Sequence, residues 1–352
     1  MNRFAYAKPT TIAEAIALGQ MQGAAFLAGG TNLLDLMKGG IAQPQSLIDI
    51  SRLPGLDQIE TLADGSVRIG ALVRNADLAH DANFARTFPA IAEALLSGAS
   101  AQLRNAATVG GNLLQRTRCA YFYDPASACN KRNPGAGCDA RAGQNHNLAV
   151  LGWSEACIAT NPSDFCVPLA AFDAVVEIDG PTGAREIPLE QFHQLPGTTP
   201  QRDTALAPGE LIIAVRLPAD AATFASHARY VKLRERTSYA FAVVSAAAAL
   251  RFDGATICEA RLALGSVAAK PWRARAAEAM LVGTAPSQAN FRRAADIALA
   301  DAAPSGANAA KIELARRILV RACVLAAMGT PERLPPLPAS PFATPAGAIS
   351  HD

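Results

Sequence analysis

No apolar run in the chain approaches the roughly 20 residues of a membrane-spanning helix. Its most apolar stretch, AFAVVSAAAAL from Ala240 to Leu250, is short and reads as a buried strand. Charge of one sign is not in excess: 32 basic and 30 acidic residues leave a net charge of +2. That balance gives no reason to expect nucleic acid or an anionic membrane as partner. The opening residues, MNRFAYAKPT, carry no signal-peptide core. The chain is therefore expected to start in the cytoplasm unless a partner carries it across a membrane. Cysteine is sparse, odd in number at seven, and irregularly spaced, which argues against a disulfide scaffold. No C-x2-4-C pair of the kind that structural zinc usually takes is present.

What is present suits two or three domains with substantial cores, since the chain has 352 residues and is 50% hydrophobic. Thr11-Ile-Ala-Glu14 forms a capping box and predicts a helix from about Ile12 to Met21. Strands are expected at Ala25–Ala28, Ser46–Ile50 and Val67–Leu72, and helices over LLDLMK and Ile91–Ser97. Beyond a helix near Asp164–Phe172 come strands at Ala174–Ile178 and Leu211–Leu217. The pattern breaks at Ala219–Ser226, a candidate domain boundary. Strands at Tyr230–Leu233, Phe241–Arg251 and Ile257–Leu264 then read as an antiparallel meander, with Asp253-Gly254 as its hairpin turn. Helices at Trp272–Leu281, Ala289–Ala300 and Ala309–Ala327 close the domain. The proline-rich segment 329–352 is expected to be a disordered tail or an arm on a partner.

Two glycine turns suggest a phosphate-bearing cofactor. In AGGTN (Ala28, Gly29, Gly30, Thr31, Asn32), successive glycines let backbone N–H groups converge on an anion, and the following helix adds its positive end. TVGGNLL, from Thr108 through Gly110, Gly111 and Asn112, repeats the pattern. One such turn is more often a plain tight turn, but two in one domain suit a pyrophosphate. Neither fits G-x-G-x-x-G or the P-loop, which sets aside a Rossmann or kinase-like site.

Between Leu114 and Ala159 lies a segment that an ordinary core does not require, and it holds Cys119, Cys129, Cys138 and Cys157. Four thiolates are what a [4Fe–4S] cube wants, with Pro134-Gly135-Ala136-Gly137 supplying a bend. Zinc is the rival metal, and His146 is a possible substitute ligand. Arg116, Arg118, Lys131, Arg132 and Arg141 make the segment basic. Cations near an anionic cube stabilise it and raise its potential, although a solvated basic loop looks the same in sequence. Cys166, Cys258 and Cys323 read as small buried hydrophobes. A cysteine cluster beside a nucleotide cofactor means electron transfer.

FLAGGTNLLDLMK, IGALVRNADL, ATVGGNLLQ, NPSD and YVKLRERTSYAFAVVSAAAAL, in this order, resemble the FAD-binding (medium) subunit of the xanthine dehydrogenase family of molybdenum hydroxylases, over about residues 1–325. CAYFYD, CNKRNPGAGC and SEACIATNPSD resemble the branch of bacterial periplasmic aldehyde oxidoreductases, whose FAD subunit carries an additional [4Fe–4S] cluster. The resemblance implies an α+β fold of the vanillyl-alcohol-oxidase type. Two α/β subdomains (about 1–55 and 56–220, with the cysteine insertion at about 115–159) would grip FAD, and a C-terminal α+β domain would span 225–328. It also implies that Ala28–Leu33 and Thr108, Gly110, Gly111 and Asn112 hold the FAD pyrophosphate. Asp164 would bind the ribose end, with a helix N-cap as its plainer role. Lys232 would lie near the flavin pyrimidine edge, with a solvated strand lysine as the plainer role. Ile69–Leu72, Ala71 among them, would lie along the isoalloxazine or adenine.

No molybdenum site and no plant-type [2Fe–2S] motif can be read in the chain. The implied assembly is a heterotrimer with a large molybdenum-cofactor subunit and a small [2Fe–2S] subunit, delivering electrons to an external acceptor. The implied location is the periplasm, by co-export with a signal-bearing partner. A xanthine-, CO- or hydroxybenzoyl-CoA-type relative, a self-sufficient flavin enzyme and a zinc scaffold are the alternative readings.

Overall fold

The computed structural model describes residues 1–332; most of the proline-rich segment expected at 329–352 lies outside them. The first subdomain is a three-stranded parallel sheet of β1 (Ala5–Ala7), β2 (Ala24–Leu27) and β3 (Ser46–Asp49), in the order β1-β3-β2. Helices Ile12–Gly19 and Leu33–Lys38 make the crossovers that parallel strands require. The capping box forms in part: Thr11 Oγ1 accepts from the Glu14 N–H at 3.1 Å, while the Glu14 carboxylate accepts from the N–H of Thr10, one residue before the cap, at 2.8 Å. The helix ends at Gly19 rather than Met21, in a turn where the Met21 N–H bonds the Leu18 carbonyl.

The second subdomain is a five-stranded antiparallel sheet. It contains β4 (Ile59–Thr61), β5 (Val67–Gly70), β6 (Val175–Asp179), β7 (Arg185–Pro188) and β8 (Leu211–Leu217), in the order β4-β5-β8-β6-β7. More than 100 residues separate β5 from β6. They contain the helices Asn75–His80, Ala82–Thr87, Pro89–Ser97, Ala101–Arg104 and Val109–Leu113 and the cysteine segment. A 3-10 stretch, Ala219–His227, occupies the expected boundary.

The third unit is an antiparallel sheet of β9 (Ala228–Leu233), β10 (Val244–Asp253), β11 (Thr256–Gly265) and β12 (Trp272–Arg273). Helices Arg275–Leu281, Gln288–Ala298 and Ala309–Met328 complete it. The hairpin turn falls at Gly254, whose φ is +57°. The expected helix from Trp272 is corrected at its start: Trp272 and Arg273 pair with Leu264 and Ala263 as an edge strand, and the helix begins at Arg275. A large aromatic at a sheet edge is favourable strand chemistry. The apolar run through β10 also finds its reason. Ala247 and Ala249 join the core beneath the second subdomain, while Val244, Ala246, Ala248 and Leu250 join the core under the C-terminal helices. A strand buried on both faces has no polar alternation.

The cysteine segment has little regular structure beyond Ala120–Tyr123 and Asp139–Arg141, and it packs a small core of its own around Leu36, Phe122, Leu148 and Ile158. The C-terminal unit stitches it down. Asn308 donates to the carbonyls of Leu148 and Ala149 at 3.2 and 3.1 Å, and the buried Lys311 ammonium donates to those of Asn147 and Leu148 at 2.6 and 3.0 Å. Among the described residues, no helix is long and apolar enough to cross a membrane.

Candidate functional site

A cavity of about 780 Å³ opens where the three units meet. Gly29, Gly30, Thr31 and Asn32 line it from the first subdomain, Asn75, Gly111, Asn112 and Asp164 from the second, and Lys232 and Phe241 from the third. The two glycine turns, far apart in sequence, thus face one space.

Their glycines do different work. Gly30 sits at φ +71°, where a side chain is strained. At Gly29 a Cβ would stand 1.9 Å from the Ala106 carbonyl oxygen, so this glycine lets two backbone segments touch. At Gly111 a Cβ would meet only Thr108 Oγ1, at 3.1 Å. The protein does not need that space, but a ligand in the cavity would. The N–H groups of Gly29, Gly30 and Thr31 make no hydrogen bond among the described residues, as an anion cradle requires. Two buried polar atoms of cavity-lining residues also lack partners, Asn32 Nδ2 and Asn75 Oδ1. Buried polar atoms are rarely left unpaired unless a ligand or water completes them. Glycine cradle, free amides and orphaned amide groups fit a dinucleotide.

Other expected residues stand behind this surface. Thr108 caps the helix Val109–Leu113, accepting from the Gly111 N–H at 3.3 Å. The Gly110 N–H is spent on the Ala71 carbonyl at 2.8 Å, and Ala28 and Leu33 are not among the lining residues. Ile69–Leu72, expected along the isoalloxazine or adenine, stand behind the cavity wall. Ile69, Ala71 and Leu72 are buried in the cores beneath, and none of the segment lines the cavity.

Asp164 and Lys232 form one unit. Lys232 Nζ donates to Asp164 Oδ2 at 2.7 Å and to the Ser97 carbonyl at 3.1 Å, and Tyr230 donates its hydroxyl to Asp164 Oδ1 at 2.5 Å. Burial, with the Asp164 charge beside it, holds the Tyr230 phenol well above its usual range. Two side chains in contact cannot serve opposite ends of an extended dinucleotide, so separate ribose and pyrimidine-edge assignments cannot both hold. Nor is Asp164 an N-cap or Lys232 a solvated lysine. The helix Cys166–Ala171 starts after Phe165, where Ser163 Oγ accepts from the Cys166 N–H, and the Lys232 side chain is 3% exposed.

Sequence reasoning did not single out Asn75 or Arg104. Asn75 lies inside IGALVRNADL, directly after the strand. Arg104 lines the cavity, donates to the carbonyls of Leu96 and Gly98, and has no acidic partner among the described residues.

Cys119, Cys129, Cys138 and Cys157 line a second, small cavity together. Cys129 and Cys138 face each other across a short antiparallel bridge, tightened by an Asn130 N–H to Gly137 carbonyl bond at 2.7 Å. All four are free thiols, and only Cys138 is not fully buried. Burial raises the thiols of Cys119 and Cys138 above their usual range and pushes that of Cys157 up to about 11. Among the described residues no three His, Cys, Asp or Glu side chains are placed to hold a single metal ion. The four thiols share the wall of one small cavity. His146 is exposed and faces Glu235 at 3.7 Å, outside this cavity. Cys166 and Cys323 are buried elsewhere, and Cys258 lies on β11. Cys119 lines both the large cavity and the cysteine cavity.

The basic residues of the segment are not a solvated face. Arg116 and Lys131 pair with Asp203, Arg118 with Asp35 and Arg141 with Glu155, while Arg132 donates to the carbonyls of Tyr121 and Phe122.

Residues 2–220 match the model of the FAD binding domain in molybdopterin dehydrogenase, and residues 229–328 that of the CO dehydrogenase flavoprotein C-terminal domain. The chain is 53% identical over 283 residues to the aldehyde oxidoreductase FAD-binding subunit PaoB of Escherichia coli K12, covering 80% of this chain and 86% of that protein. It is 30% identical to the carbon monoxide dehydrogenase medium chain of Hydrogenophaga pseudoflava over 80% and 81% of the two chains. A solved carbon monoxide dehydrogenase of that organism superposes with a TM-score of 0.72 at 29% identity, over 93% of this chain and 98% of the other.

Proposed function

The chain belongs to the FAD-binding medium subunits of the xanthine dehydrogenase and CO dehydrogenase family, and from that premise we propose that it is the FAD- and [4Fe–4S]-carrying electron-transfer subunit of a molybdenum-dependent aldehyde oxidoreductase. Its partners in this reading are a large molybdenum-cofactor subunit and a small [2Fe–2S] subunit, with electrons leaving to an external acceptor. The finished heterotrimer resides in the periplasm, carried there by a signal-bearing partner. The observation that carries the reading is Cys119, the shared wall of the two cavities. It supports two redox groups as neighbours.

Bound FAD would supply two-electron redox chemistry, with the cysteine cluster as a one-electron centre beside it. The residues bind and orient. The amides of Gly29–Thr31 point fixed partial charge at a pyrophosphate, Asn75 and Asn32 offer an acceptor and a donor, and Gly111 leaves the approach open. Lys232, steadied by Asp164 and the Ser97 carbonyl, holds a cation at the cavity wall, where it would favour negative charge on a reduced ligand. The cysteine thiols must lose protons as metal enters.

The test is the visible spectrum of the complex co-purified with its partners, with flavin and iron analysis and an aldehyde assay. The expected result is one FAD per copy of this chain and four irons beyond those of the [2Fe–2S] subunit, with aldehyde oxidation only in the complex. Flavin with no iron beyond that of the [2Fe–2S] subunit would remove the cluster from the proposal. Turnover of another substrate, such as a purine or carbon monoxide, in place of aldehydes would move it to another member of the family.

A further inference from the structure

Of the basic residues in the cysteine segment, Lys131 is the one that lines the cysteine cavity. It follows Cys129 by two positions, lines the cysteine cavity with all four thiols, and its side chain is 3% exposed. Its ammonium donates to the Pro200 carbonyl at 2.7 Å and pairs with Asp203, whose other carboxylate oxygen faces Arg116. The clamp thus comes from 200–203, a segment outside the cysteine loop. An ammonium buried this deeply is costly to desolvate even beside the part-exposed Asp203 carboxylate, and an apolar side chain of similar volume would often serve stability as well.

We propose that Lys131 sets the reduction potential of the cysteine-held cluster, with Asp203 fixing its cation beside the thiolates and partly offsetting its field. The inference rests on the reading of that cavity as a [4Fe–4S] site. Adding one electron to a cube held by four thiolates increases its negative charge by one. A fixed neighbouring cation therefore stabilises the reduced form and raises the potential, and a fixed anion does the reverse. Lys131 is a positioning residue and touches no substrate. Because the Lys131–Asp203–Arg116 group holds two cations and one anion, its net effect is to keep the potential up.

The two substitutions should shift the potential in opposite directions, which a purely structural role would not do. In the complex purified with its partner subunits, the cluster is titrated with dithionite and followed by electron paramagnetic resonance, with iron and flavin content measured alongside. Lys131→Met should lower the midpoint potential, Asp203→Asn should raise it, and Lys131→Arg should leave it near the parent value. If Lys131→Met does not retain iron, Asp203→Asn decides alone: a raised potential supports the assignment, and an unchanged or lowered one overturns it. Parent-like potentials in iron-replete Lys131→Met and Asp203→Asn overturn the role of Lys131 and leave the cluster standing. A parent complex with no iron beyond that of the [2Fe–2S] subunit overturns both.

Discussion

The carboxylate of Asp164 and the ammonium of Lys232 face each other at 2.7 Å, 7% and 3% exposed, at the wall of the large cavity. One comes from the segment before the helix Cys166–Ala171 and the other from the edge strand β9, so the contact ties the C-terminal sheet to the second subdomain. It makes stability and flavin binding separable. Asp164→Leu strands a buried ammonium on one carbonyl and should cost about 3–5 kcal/mol in chemical unfolding, the range for breaking a buried pair from one side. The Asp164→Leu/Lys232→Met double variant should recover much of that stability, yet still purify with reduced flavin. A double variant with full flavin content would show the pair to be structural only.

The glycines give a sharper discrimination. Gly111→Val should leave the fold close to intact, since only Thr108 Oγ1 stands near the added carbon, and should abolish flavin binding. Gly29→Ala should fail to give folded protein, because a methyl group 1.9 Å from the Ala106 carbonyl oxygen has nowhere to go. The measurement is the flavin-to-protein ratio beside a thermal melt. Stoichiometric flavin in Gly111→Val would mean that the cofactor does not approach this turn.

Serine at Cys119, Cys129, Cys138 or Cys157 should lower bound iron in the purified complex, because each thiol lines the cavity. Serine at Cys166 or Cys323 buries a new hydroxyl and should cost about 1–3 kcal/mol while leaving iron unchanged. Serine at Cys258, on β11, should alter neither. Equal iron loss from both groups would show that the ligands lie elsewhere.

His193 governs part of the acid stability. It is fully buried, its Nε2 lies 2.8 Å from the Leu113 carbonyl oxygen, and burial lowers its pKa to about 4. The unfolded chain binds this proton near pH 6.5, so between those values it takes up more protons than the folded chain. The stabilising contribution is present above pH 6.5 and is lost as pH falls towards 4, at most about 3 kcal/mol. His193→Gln, which keeps a donor for Leu113, should flatten the stability profile across that window. An unchanged slope from pH 6.5 to 4 would assign the acid sensitivity to other groups.

The local signals in the sequence are the ones that survive as structure. The Thr11–Glu14 box, the hairpin at Gly254 and the strand Leu211–Leu217 depend on residues close together in the chain. The order β4-β5-β8-β6-β7 pairs strands more than 100 residues apart, and no local pattern encodes that pairing. The site divides in the same way. Glycine turns and cysteines were visible as motifs. The contact between Asp164 and Lys232, the buried position of Ile69–Leu72 and the roles of Asn75 and Lys131 come from tertiary packing. β12 was missed because its residues, Trp272 and Arg273, run into a helical pattern, and only the neighbouring strand β11 makes them a sheet edge.

The proposed periplasmic location depends on a signal-bearing partner. Both cavities are built from segments distant in the chain, so in the proposed reading the subunit folds around its cofactors before export. The route consistent with this is passage of the folded assembly on the signal of a partner, a twin-arginine signal being the kind that carries folded cargo. Expressed alone, the chain should remain in the cytoplasmic fraction and show no aldehyde oxidation. Expressed with its partners, it should appear in the periplasmic fraction with flavin and iron in place, and deletion of the partner's signal should hold both inside. Export of the isolated chain would overturn co-export, and aldehyde oxidation by the isolated chain would overturn its reading as an electron-transfer subunit.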